Sequence, residues 1–564
     1  NGFGTYYTLD RDNKTLETTI NYAKEFDNSN FDVIVGYAYQ DFRTRGRNAV
    51  ARGFSTTDLN AMGNDLVNTV NGAENSIDGS FQQYYYAANT TDLVVNRLFP
   101  SSTTDNLPYS FDRNVTALTA DTYDNTDELQ SLFGRVNYSL NSKYLFTATM
   151  RADGSSRFGP ENQYGYFPSG AFAWQIGEED FIGENVSTLK LRLSAGITGN
   201  QAGLGYGNFV ARQRFGGLGI NNSNEIQANG LAIVATDNPS LKWESTLDFN
   251  VGLDFGFNND RLNGSVDVYR RDTKDLLLKT PPAFPATTPF QFGNVDANVI
   301  NQGIEFALGY DFIQQEDVNF SANFNISYND NEIQNFAGAI NSGPINGPGL
   351  TGAFAQRFES GYSLFSYYMA QFEGFDSTGN PIYTDIDGNG VGDPDVDKTF
   401  VGEDALPDIT SGLSLNLKVK NWDVATYLTG QFGFSVYNNT ANSFFNAGQI
   451  GTARNVTNNV LSLGEDPGAS TAVSTRFLEK GDFIRLQNVS VGYNVPLSGE
   501  GTLRNLRLSL TGQNLFLITD YSGIDPEVTV NTGNLNSAEL PTRGIDFMTF
   551  PNPLTVTFGI NASF

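Results

Sequence analysis

At 564 residues the chain is long enough for several soluble domains or for one large barrel, so length alone decides little. Acidic residues outnumber basic ones 62 to 34, a net charge of −28 that repels a phosphate backbone and argues against nucleic acid as a partner. Cysteine and histidine are both absent, which removes disulfide frameworks, thiolate and imidazole metal sites, and Ser-His-Asp or Cys-His catalysis.

Hydrophobic residues make up 39% of the chain, yet no apolar run approaches the ~18 residues that a membrane-spanning helix requires. The 44 Phe and 26 Tyr, with only 3 Trp and as many as 58 Gly, fit aromatic-rich twisted strands joined by generous turns. The opening Asn1-Gly2-Phe3-Gly4 has neither the basic nor the apolar region of a signal peptide, so the chain reads as a mature or truncated product.

Residues 55–128, rich in Asn, Thr, Asp and Ser, are the least strand-like long stretch and read as an extracellular excursion, with a disordered insertion as the alternative. Alternating patterns begin near Leu132 and Tyr144, separated by the short link Asn141-Ser142. Leu189, Leu191, Leu193, Ala195 and Ile197 then alternate with Lys190, Arg192, Ser194 and Gly196. From Leu247 to Phe257 one face is wholly apolar and the other is Asp, Asn and Gly. Further patterns start near Ile304 and Leu506, and the last runs through Leu554, Val556, Phe558, Ile560, Ala562 and Phe564. One segment changes parity: Ile484 and Leu486 share a face, whereas Val489, Val491 and Tyr493 lie on the other, which predicts a bulge near Gln487-Asn488.

A soluble half-buried sheet shows the same alternation, and connection lengths separate the two readings. Short links at Asn141-Ser142, 258–261, 314–317 and Lys420-Asn421 succeed long polar stretches at about 199–242, 273–298, 331–366, 436–480 and 517–551. Short turns on one side and long loops on the other are the pattern of an outer-membrane barrel. We therefore expect an all-β chain, a transmembrane antiparallel β-barrel of about sixteen strands, with its last strand ending on the short-turn side.

The ordered phrases of the chain carry a family resemblance. Ser131-Leu-Phe-Gly-Arg-Val-Asn-Tyr138, Lys143 to Gly159, Gly165-Tyr-Phe-Pro-Ser169, Leu189 to Gln201, Trp243-Glu-Ser-Thr246, Asn301-Gln-Gly-Ile-Glu305, Gly481 to Tyr493, Gln513-Asn-Leu-Phe516 and Tyr521 to Glu527 follow one another along residues 129–564. As a set they resemble the SusC/RagA family of TonB-dependent outer-membrane receptors found in Bacteroidota. The resemblance implies a plugged barrel of the 22-stranded kind, of which residues 1–564 would be the C-terminal part, with the plug and N-terminal domains outside this sequence. It further implies import of nutrients such as oligosaccharides or peptides, energy from the TonB complex, contact with outer-membrane lipid, and a SusD-like surface lipoprotein as partner. The terminal Phe564 agrees with the insertion signal of such barrels. The alternative is a passive channel or surface adhesin without energy coupling. No catalytic residue is assigned.

One local motif carries candidate chemistry. Asp385, Asp387 and Asn389 stand at positions 1, 3 and 5 of a calcium-type loop, Gly390 at 6 and Val391 at 7. Position 12 is Val396 rather than a bidentate Glu, and Asp393 and Asp397 would complete a site of another kind. The loop is either a Ca2+ site or a solvated acidic turn. Tyr84 to Tyr86, Phe365 to Tyr368 and Phe432 to Tyr437 are aromatic enough to stack on sugars, but membrane girdle or loop packing explains them better. No residue is assigned to substrate.

Overall fold

The alternating segments join one large antiparallel sheet in the computed structural model. It describes residues 2–52, 54, 56–74, 82–87, 94–96, 117–210, 212–215, 218–220, 226–228, 231–235, 237–280, 291–347, 350–452, 454–468, 472–497, 502–528, 540 and 542–564. Of the 17 strands in this sheet, 15 are long. In chain order they are β1 (Phe3–Phe26), β2 (Ser29–Arg52), β3 (Ala117–Leu140), β4 (Tyr144–Ser155), β5 (Tyr164–Gln175), β6 (Val186–Asn200), β7 (Glu244–Phe257) and β8 (Leu262–Lys274). There follow β9 (Asn298–Gln314), β10 (Val318–Gln334), β11 (Ile409–Val419), β12 (Trp422–Phe432), β13 (Phe483–Asn494), β14 (Asn505–Thr519) and β15 (Thr555–Ser563). Each pairs antiparallel with its neighbours in sequence, so the sheet is an up-and-down meander. Among the described residues, β1 and β15 pair on one side only. Fifteen strands stand against the sixteen expected.

The short connections all fall at one end, and their sequences explain why they turn tightly. Asn141 and Ser142, then Asn258, Asn259 and Asp260, and Lys420 all adopt positive φ. Asn and Asp tolerate this region, and turns built from it match the twist of the strands they join. At the other end lie the long connections 201–243, 275–297, 335–408, 433–482 and 520–554. The connection after β10 is far longer than the 331–366 read from sequence, because its interior builds a small sheet of its own from Ala339–Gly347, Leu350–Glu359, Ser366–Ala370 and Lys398–Asp404.

The excursion read at 55–128 also needs correction. Leu59–Glu74 is a helix, and residues 117–128 belong to β3, paired along Asp41 to Arg52 of β2. Gln82–Ala87 and Val94–Asn96 are short strands, paired with each other and the first also along Ala117 to Thr122, while 55, 75–81, 88–93 and 97–116 lie outside the described residues. The strand escaped notice because its upper part faces no lipid. β1, β2 and β3 have 24 residues each, about 80 Å at ~3.3 Å per residue, where ~9–11 residues cross a bilayer. Their upper halves carry ion pairs such as Arg43 with Asp124 and Arg45 with Asp12 in place of apolar alternation.

Register puts the apolar residues of successive strands in rows on one face. Leu193 pairs with Val251, Val251 with Val268 and Val268 with Ile304. Val424 pairs with Val491, Val491 with Leu510 and Leu510 with Phe558. These rows are exposed, with Val251 at 50% and Phe558 at 65%, as a lipid-facing belt must be. At its turn end the belt closes in aromatic pairs, Tyr144 with Trp174 and Trp422 with Tyr493, whose centroids lie 6.3 and 4.5 Å apart. Such rings suit the membrane interface. The expected bulge is present: register shifts between Leu486 and Asn488, where Gln487 is the extra residue against β12 and stands opposite both Asn514 and Leu515 of β14, and the faces swap above and below it.

Candidate functional site

The opposite face of the sheet is polar and hydrogen-bonded. Arg192 donates to Asp254 at 2.8 Å and to Asp267 at 2.9 Å, Asn137 to Asp32 at 3.1 Å, and the hydroxyls of Ser490 and Thr511 are hydrogen-bonded at 3.0 Å. Gly252 is small because the Arg192 cluster needs its space: a Cβ there would lie 2.4 Å from Asp267 Oδ1 and 2.6 Å from Arg192 Nη2. A polar wall behind an apolar belt is the inner surface of a transmembrane barrel.

Packed apolar clusters among the described residues gather at the long-loop end. One joins Ile345, Tyr367, Met369, Tyr437 and Ile545, another Phe434, Val436, Phe483 and Tyr521. Tyr367 is fully buried, and its hydroxyl lies 2.9 Å from Ser435 O and 2.7 Å from Gly544 O, so one phenol links the three connections 335–408, 433–482 and 520–554. Arg476 strengthens the same junction: it forks onto Glu465 at 2.8 and 2.9 Å while its guanidinium lies 4.9 Å from the ring centre of Phe375 and 4.7 Å from that of Phe477. The aromatic clusters at 365–368 and 432–437 are therefore loop packing. The side chains of Tyr84 to Tyr86 lie outside the described residues.

Between these three connections lies a cleft of about 540 Å3, lined by Phe372, Phe375, Phe445, Leu463 and Met548 and by Glu479, Ser522 and Asp546. Sequence reading did not find it, because its walls come from three separate connections.

The acidic loop lies in the 335–408 connection, on the long-loop side. Asp385, Asp387 and Asp397 each bring a carboxylate oxygen into a group spanning no more than 4.8 Å, and Asp393 is not part of it. Asp397, next to Val396, is buried and accepts N–H bonds from Asp393 at 2.7 Å, Ile386 at 2.9 Å and Asp387 at 3.0 Å. These bonds, that from Asp393 foremost, hold its carboxyl below the usual carboxylate range. Asn389 donates to Asp387 and accepts from the N–H of Val391, whose side chain is exposed. Gly388 and Gly390 turn the loop at φ 76° and 92°. The donor set is all oxygen, which suits a hard cation.

Sequence reading also passed over Glu179, which sits in the turn after β5. It accepts from Lys143 at 2.9 Å, Tyr144 at 2.8 Å and the Trp174 indole at 3.0 Å, thereby fixing the aromatic pair at the membrane edge. The Lys143 bond first, then those from Trp174 and Tyr144, lower its carboxyl from 4.5 to about 2. Because the folded value is depressed, this contribution to stability is present above pH ~4.5 and is lost as pH falls towards ~2. Trp174 fluorescence should thus change across that window, and Glu179→Gln should abolish the change. An unaltered acid titration in the variant would show that another group is responsible.

A large antiparallel meander with an apolar outer belt, a polar inner wall, short turns at one end and long packed loops at the other defines an outer-membrane β-barrel protein. Residues 1–515 match the family model described as "TonB dependent receptor-like, beta-barrel", and the chain belongs to that family. It is 30% identical to TonB-dependent receptor P3 of Formosa agariphila, over 100% of this chain and 53% of that protein. It is 33% identical to TonB-dependent receptor SusC of Bacteroides thetaiotaomicron, over 78% of this chain and 44% of that protein. Among solved structures, the RagAB peptide importer in its open-open state superposes with a TM-score of 0.76 at 22% identity, covering 100% of this chain and 56% of that one. The chain spans about half the length of the curated relatives it matches.

Proposed function

We propose that the whole protein imports a nutrient, an oligosaccharide or a peptide, across the outer membrane with energy from the TonB complex. The polar inner wall carries this reading. Barrels of ~16 strands or more no longer fill their interior with their own side chains, so a hydrogen-bonded wall on 15 strands lines a passage or seats a plug. The edges of β1 and β15, unpaired among the described residues, offer pairing for further strands, towards the 22 of plugged transporters. A SusD-like surface lipoprotein is the proposed partner at the long-loop end, a reading supported by the SusC relative. The family comprises receptors and transporters, not enzymes.

Uptake by intact cells tests the proposal. Deleting the protein should abolish accumulation of its nutrient, and collapsing the proton-motive force should stop uptake in the undeleted strain. Uptake that persists without that force would favour the passive channel.

We propose also that the acidic loop takes Ca2+, on the grounds that three carboxylates within 4.8 Å repel one another and offer oxygen ligands only. Calcium should protect residues 385–397 from proteolysis, and Asp387→Asn, which keeps an acceptor oxygen in the turn, should weaken that protection about tenfold in calcium concentration. Identical cleavage with calcium and with a chelator would leave the loop a solvated turn.

A further inference from the structure

The cleft between the three long connections has one-sided charge. One cation, Arg476, lines the cleft beside Phe372 and Phe375 and is committed to Glu465; the lining carboxylate Asp525 is likewise committed, to Arg485. Glu479 and Asp546 have neutral partners instead. Glu479 accepts from Asn438 at 3.0 Å, from the Ser522 hydroxyl at 2.8 Å and from the Ser522 N–H at 2.7 Å. Asp546 accepts from Thr440 at 3.3 Å, Thr549 at 2.7 Å and Tyr521 at 2.7 Å. Among the described residues neither carboxylate has an ion-pair partner.

A carboxylate offers about four lone-pair sites, so the three bonds to each leave about one unused. The two carboxylates flank the strand Ser435–Asn438, Glu479 paired with Val436 and Asp546 with Asn438. Asn438 pairs in register with Asp546 and bonds through its side chain to Glu479, while the consecutive residues Tyr521 and Ser522 donate to Asp546 and Glu479 respectively. Phe372, Phe375, Phe445 and Leu463 line the same cleft. A volume of about 540 Å3 lies within the range of small-molecule sites.

We propose that this cleft binds a primary ammonium group carried on an apolar body, with Glu479 and Asp546 accepting from the ammonium and the phenylalanine wall covering the body. Ammonium is the complement: it has three donors and no acceptor, and its charge offsets two carboxylates that no side chain among the described residues neutralises. A neutral sugar would leave that charge uncompensated. As recognition of cargo at the outer face, the site rests on the import reading; as a binding site, it is testable without transport.

The test is calorimetric titration of the detergent-extracted native protein with phenethylamine, L-phenylalaninamide and 3-phenylpropanamide. The last keeps the ring and lacks the amine. Both amines should bind at least about tenfold more tightly than the neutral amide. Tight binding of L-phenylalaninamide with weak phenethylamine binding would point to the amino end of a peptide, and equal binding of the two to any apolar amine. Asp546→Asn should remove most of the amine preference. Because Asp546 also holds Thr440, Tyr521 and Thr549, Leu463→Trp is the second variant: it fills the partly exposed apolar side without touching either carboxylate, and should block both amines. Equal affinity for amines and amide, no binding at all, or amine binding that survives Leu463→Trp overturns the proposal. Amine binding without energised uptake would count against the importer and leave this site standing; energised uptake without amine binding would do the reverse.

Discussion

Phe558→Arg is expected to block assembly of the barrel in the membrane. Phe558 sits near the middle of β15, 65% exposed, in a row with Leu510 and Val491, so arginine there places a charge in hydrocarbon. At the bilayer midplane such a substitution costs ~2–4 kcal/mol. Its neighbour Thr557 points to the polar inner face, and Thr557→Arg should be tolerated. Membrane insertion, followed by the shift in gel mobility on heating that folded barrels show, compares the two. Equal yields of folded protein would mean that β15 does not contact lipid, and a lower yield for Thr557→Arg that inner and outer faces are exchanged.

Arg485→Met should loosen the whole long-loop end. Arg485 is 3% exposed and is held by Asp525 at 2.6 Å and by Glu527 at 3.0 Å. Burial works to raise the Asp525 carboxyl, but its bonds from Arg485 and from the N–H groups of Glu527 and Asn552 outweigh it and hold the group below the usual range. Removing the guanidinium leaves a buried carboxylate without its cation, which costs ~3–5 kcal/mol. Limited proteolysis should then cut the 520–554 connection at a protease concentration at least tenfold lower. Arg485→Met combined with Asp525→Leu should recover part of the loss, since an apolar pair of similar volume is often as stable as the ion pair. An unchanged digestion pattern in the single variant would show that the pair contributes nothing to holding the loops.

The strands, the tight turns and the bulge at Gln487 were legible because each depends on residues close in sequence. Alternation marks a strand between lipid and lumen, Asn and Asp mark the turns, and a parity change marks a bulge. β3 above Glu128 was not legible, because out of the membrane its outer face need not be apolar. The site divides in the same way. Asp385 and Asp387 share one loop with Asp397, and the structure brings these three together. Arg485 with Asp525, Tyr367 with Gly544, and Glu479 with Ser522 are separated by 40, 177 and 43 residues, so only the packing of one connection against another makes them partners. Glu179 lay in plain view among Glu178 and Asp180, and nothing local distinguishes the carboxylate that accepts three bonds from its two neighbours.

The central claim is that these fifteen strands are the wall of an energised importer, and the native protein tests it most directly. Extraction from outer membranes in mild detergent, followed by intact mass, N-terminal sequencing and identification of whatever co-purifies, should give a species well above 61.6 kDa that carries further strands and a plug, together with a surface lipoprotein. A native species of about 61.6 kDa that purifies alone as an open pore would contradict the account and make the protein a passive channel.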